Sequence, residues 1–128
     1  MWRVWLICAA VHGFLSVALG AFGAHGLKER LANAGEHMAA NFETGARYEM
    51  YHALALIGVA FLASRFPSKA INASGYCFTI GACIFSFSLY TLALTGIKKF
   101  GAITPIGGVL MLAGWVLLAY AAYSASDN

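Results

Sequence analysis

Four uncharged stretches govern what this chain can fold into: Val4 to Leu27, Met50 to Ser64, Ala70 to Ile97 and Phe100 to Ser126, of 24, 15, 28 and 27 residues. A helix needs about 20 mostly apolar residues to cross the hydrocarbon of a bilayer, so three stretches suffice as they stand. The second becomes long enough when carried back to Phe42. That adds Glu43, Arg47 and Glu49 in its first turns, where long side chains can reach the headgroups. Asn41 is then the N-cap, and helix two runs to Ser64.

Composition agrees. The 128 residues are 61% hydrophobic and 10% charged, where soluble domains have roughly 45–50% apolar and about 25% charged residues. A single domain this small cannot keep so much apolar surface from water, so lipid must surround it. The expected architecture is an all-α membrane protein. Its single domain, residues 1–128, holds four transmembrane helices in an antiparallel bundle. The first stretch exceeds the roughly 7–15 residues of a signal-peptide core and is read as a true crossing. The eight Lys and Arg and five acids are scattered, without the basic run of a nucleic-acid binder. The expected surroundings are the bilayer and either a second copy or another membrane protein. Cys8, Cys77 and Cys83 lie in apolar stretches, with no CxxC pair; they read as small buried apolar side chains.

Leu27, Leu31, Ala34, Met38 and Phe42 recur every three or four residues among Lys28, Glu29, Arg30 and Glu36, the pattern of a short surface helix broken at Gly35. Pro67 and the pair Lys98–Lys99 mark the other turns, and connections this short make consecutive helices antiparallel neighbours. With the N-terminus on side A, Arg3, Arg65 and Lys69 fall on side A; Lys28, Arg30, Arg47, Lys98 and Lys99 fall on side B. The excess weakly favours side B as cytoplasmic.

Membrane helices associate through small residues and a few hydrogen bonds. Three stripes are expected to face protein: Gly13, Ser16, Gly20 and Gly23; Gly75, Ala82, Ser86 and Ala93; Gly107, Gly114 and Ala121. Leu56 is read as facing lipid, and Pro105 as a helix-start proline.

Ionisable groups inside a membrane mark candidate sites. Because helix one descends to side B and helix two rises from it, His25 and His52 are placed at similar depth. Tyr48, Thr95, Thr104 and, deeper, Tyr90 lie toward the same side. The candidate polar cluster is therefore His25, Tyr48, His52, Tyr90 and Thr104, with His12 alone near the membrane centre. HxxxH and HExxH spacings are absent, so no metal is assigned, and no cofactor is called for. Glu43 and Arg47 read as an i,i+4 ion pair. No nucleophile elbow, phosphate loop or deep carboxylate pair is visible, and GAFGAHG ends a helix with no strand before it, unlike a dinucleotide fingerprint. Two functions follow: a non-catalytic bundle acting in assembly or partner binding, and a site that binds or passes a small polar solute, lipid headgroup or proton.

GAFGAHGL (20–27), FETGARYEMYHALAL (42–56), SLYTLALTGIKKFGAITPIGG (88–108) and AGW (113–115) closely resemble the small uncharacterised membrane family that contains bacterial YgdD and mammalian transmembrane protein 256. The resemblance implies four membrane helices, a bacterial inner-membrane or mitochondrial setting, and no particular activity. His25, Tyr48, His52, Tyr90, Thr104, Pro105, Gly107 and Gly108 match the family pattern. Phe87 stands where that pattern has glycine.

Overall fold

The computed structural model describes residues 1–125, so Ser126, the end of the fourth apolar stretch, lies outside it. The described residues form five helices: α1 (Trp2–Ala24), α2 (Lys28–Ala34), α3 (Met38–Arg65), α4 (Lys69–Thr95) and α5 (Lys99–Ser124). Three of them, α1, α4 and α5, are long and apolar enough to cross a membrane. The 28-residue α3 carries Glu43, Arg47 and Glu49 in its first half and is not among them. The architecture is thus that of an all-α membrane protein with three apolar spans and one long helix of mixed character.

The boundaries follow from local chemistry. α2 stops at Gly35, whose φ of 141° suits glycine. α3 begins at Met38 after a left-handed His37, three residues before the expected cap Asn41. The extension has an apolar cause: Met38 and Phe42 pack with Leu31, Ala46, Tyr90 and Ala93. After Pro67, the Ser68 hydroxyl accepts from the Ile71 amide at 3.1 Å and caps α4, which ends at Gly96 with φ 70°. Arg30 of α2 donates to the Leu94 carbonyl at 3.4 Å, meeting a backbone group that the end of α4 leaves unpaired.

α1 packs on α3, α3 on α4, and α4 on α5. The two central helices bury most; α1 buries one stripe (Trp5, Ala9, His12, Ser16, Gly23) and α5 another (Thr104, Gly107, Met111, Gly114). Their outer faces show Phe14, Val17, Val109, Leu112 and Val116, each more than half exposed, a surface that suits lipid.

Glycines of the small stripes differ in how tightly a neighbouring helix meets them. A Cβ at Gly107 would overlap the Phe85 backbone nitrogen and lie 2.7 Å from the Gly81 carbonyl oxygen. One at Gly114 would lie 2.6 Å from the Phe78 ring, and one at Gly75 would lie 2.5 Å from the Trp5 ring. At Gly13 and Gly20 it would meet the Ala53 and Ala46 methyls at 3.8 and 3.7 Å, ordinary contact. Because Gly107 of α5 meets α4 at Gly81 and Phe85, Phe87 does not obstruct that contact and sits 37% exposed. Two expectations need correction. Leu56 is fully buried in the core with Trp5, Val59 and Phe78 rather than facing lipid. Pro105 lies inside α5, past the first turn where an absent N–H goes unnoticed, so it deprives the Gly101 carbonyl of its helical donor.

A buried carboxylate joining three helices

One face of α3 carries Phe42, Ala46, Glu49, Ala53 and Leu56, at spacings of four, three, four and three. All five are buried. Helical periodicity therefore turns Glu49 inward, while Glu43 and Arg47 form the expected pair at 2.9 Å on the exposed side. Glu49 is 0% exposed. The reading that its side chain reaches the headgroups fails because Glu49 lies on the packed face.

Glu49 has partners on two other helices. His12 of α1 places Nδ1 2.7 Å from Oε2, and the Tyr90 hydroxyl of α4 donates to Oε1 at 2.8 Å. The other ring nitrogen of His12 lies 3.7 Å from Cys83 Sγ. His12 and Tyr90 are themselves buried. An acidic side chain at a membrane centre costs roughly 2.5–3.5 kcal/mol on insertion scales, and more in other treatments. Donors on both carboxylate oxygens are what offset such a cost.

Further polar groups line the same three-helix seam. The Ser16 hydroxyl donates to the Ala46 carbonyl at 2.6 Å and the Ser86 hydroxyl to the Gly45 carbonyl at 2.7 Å. Toward side A, Trp5 Nε1 donates to Asn72 Oδ1 at 2.9 Å. Between Asn72 and Cys83 on α4, the buried Thr79 hydroxyl has no partner among the described residues. Toward side B, a cavity of about 260 Å³ is lined by Gly20, Gly23, Leu31 and Phe42, with Lys28 and Glu43.

The five residues expected to cluster are distributed over separate places. His25 is the exposed C-cap of α1, with no side-chain hydrogen bond among the described residues. His52 is buried; Trp115 Nε1 donates to its Nε2 at 3.2 Å, so its Nδ1 carries the hydrogen donated to the Tyr48 carbonyl at 2.7 Å. Tyr48, His52, Phe85, Pro105 and Trp115 border a second cavity of about 390 Å³, which His25 does not reach. Thr104 is hydrogen-bonded to Ser88 at 2.6 Å, and Tyr90 belongs with Glu49. The separation has a simple cause. The end of α1 packs beside the first turns of α3, with Phe42 filling the space at Gly23, so His52 stands ten residues further on, about 15 Å at 1.5 Å per residue. The Ala53 methyl faces Gly13, next to His12.

Comparison with known proteins agrees with this membrane architecture. The family model described as "Protein of unknown function (DUF423)" matches residues 19–108. The chain is 40% identical to the UPF0382 membrane protein YwdK of Bacillus subtilis over 121 residues, 94% of this chain and 96% of that protein. It is 41% identical to the UPF0382 inner membrane protein YgdD of Escherichia coli K12 over 116 residues, 91% of this chain and 86% of that one. A UPF0382 membrane protein of Staphylococcus epidermidis is 42% identical over 119 residues, 93% and 94% of the two chains. No solved structure matches significantly. With this coverage and three apolar spans, the chain is a multi-pass membrane protein and belongs to the DUF423 family.

Proposed function

We propose that the chain crosses the membrane four times and binds protons at the His12–Glu49–Tyr90 network, which serves proton passage along the seam between α1, α3 and α4. The support for a fourth crossing is directional. His12 lies by Cys83 and Trp5 by Asn72, so α1 and α4 run the same way, and α3 must return the chain between them. Its charges suit that role: Glu43 and Arg47 lie at one end, Arg65 at the other, and Glu49 is hydrogen-bonded inside. In a cysteine-free variant, single cysteines at positions 35 and 98 should react with an impermeant reagent from one side and a cysteine at 67 from the other. Labelling of 67 and 98 from the same side would remove the crossing.

The observation that carries the proton reading is the full burial of Glu49 between two groups that can each carry a proton. Were packing all that mattered, apolar side chains of similar volume would serve as well or better, because buried ion pairs seldom repay their desolvation. A carboxylate, an imidazole and a phenol in contact can instead pass one proton among them. Ser16, Ser86, Thr79 and Asn72 extend polar atoms from this centre in both directions. Infrared difference spectra of wild type against Glu49→Gln test it. A carboxyl band that responds to buffer pH and shifts in deuterated water should be missing only from the variant. Identical spectra would show that Glu49 exchanges no proton, leaving the network as a lock between helices.

A further inference from the structure

The structure assigns Cys83 as an imidazole-activated thiol that adds to apolar α,β-unsaturated carbonyl compounds dissolved in the lipid phase. Cys83 Sγ lies 3.7 Å from His12 Nε2, and His12 Nδ1 lies 2.7 Å from Glu49 Oε2. A nucleophile within reach of a base, with the base oriented by a third group, is the arrangement of covalent catalysis. Here the third group is itself held by Tyr90 at 2.8 Å. In the neutral tautomer that donates Nδ1–H to the carboxylate, Nε2 can accept the thiol proton.

Exposure adds direction. His12 and Glu49 are buried, whereas Cys83 is partly exposed, so Cys83 is the residue of the trio in contact with the surroundings of the bundle. Cys8 and Cys77 have similar intermediate exposure but no hydrogen-bonding partner among the described residues. They are the natural internal controls.

Location sets the electrophile. Cys83 lies midway along α4, an apolar span, which sets its expected depth near the middle of the bilayer, where reagents with charged carriers should not reach it. An uncharged enal or enone should, and its reaction balances without a leaving group or redox partner. The S–H bond breaks as His12 Nε2 takes the proton, and the C–S bond forms at the β-carbon. The displaced π pair moves onto the carbonyl as an enolate, and the same proton returns from His12 to the α-carbon. This step uses the same His12–Glu49 pair as the proton reading but does not require protons to cross the membrane.

The test uses the whole protein in lipid nanodiscs with trans-2-nonenal as probe, following each cysteine by peptide mass mapping. Cys83 should be modified about a hundredfold faster than Cys8 or Cys77, the lower end of what a positioned general base supplies. His12→Gln, if it elutes as folded protein, should bring Cys83 down to the rate of the other two. Wild-type Cys83 reacting no faster than Cys8 and Cys77 would overturn the assignment without recourse to any variant. So would an undiminished rate in folded His12→Gln, which would attribute the reactivity to exposure alone.

Discussion

Gly107→Leu should leave little folded protein in detergent, a loss of at least about 3 kcal/mol, the upper range for overpacking a close contact. The cause is the nature of what a side chain would strike. At Gly107 it is backbone, the Phe85 nitrogen and the Gly81 carbonyl oxygen, and neither can rotate away. At Gly114 and Gly75 it is the Phe78 and Trp5 rings, so alanine there should cost less than alanine at Gly107. Gly20→Ala meets only ordinary contact, and Gly58 has nothing within 4 Å of an added Cβ. Gly58→Ala should be neutral or stabilising, since alanine favours a helix by about 1 kcal/mol over glycine. Thermal unfolding in one detergent gives the ranking. Similar losses at positions 107 and 58 would mean that the α4–α5 contact is not set by small residues.

The spans of α1, α4 and α5 and the turns between helices were legible because their signals are local. Long apolar stretches, Gly35, Pro67 and Lys98–Lys99 state helix ends within a few residues. The inward direction of Glu49 was also present in the sequence, in the spacing of Phe42, Ala46, Glu49, Ala53 and Leu56. The closeness of Glu49 in sequence to Glu43 and Arg47 obscures that direction, because the three together resemble one charged helix head. Periodicity separates them, and only the latter two remain outside. What no local signal gave was stagger. Whether His25 meets His52 depends on how far α3 slides along α1, and that is set by Phe42 filling the space at Gly23. The same slide brings Glu49 to His12. The part played by Cys83 was hidden for a similar reason, since it depends on α1 and α4 meeting across α3, 71 positions apart in sequence.

The largest effect that the proposed function entails is the loss of proton passage in Glu49→Gln. Glutamine has the same shape; its carbonyl can accept from the Tyr90 hydroxyl and its amide can donate to His12 Nδ1. The three helices therefore stay joined, while the group able to take and release a proton is gone. Folding and passage are in this way separated by one substitution, with unchanged elution and unfolding temperature as the control.

The most direct measurement is the rate at which a potassium-driven potential acidifies liposomes containing the protein and a trapped pH-sensitive dye. Wild-type vesicles should acidify faster than protein-free ones, and vesicles with folded Glu49→Gln should be indistinguishable from protein-free ones. Wild-type vesicles no faster than empty lipid, or folded Glu49→Gln as fast as wild type, would contradict the account.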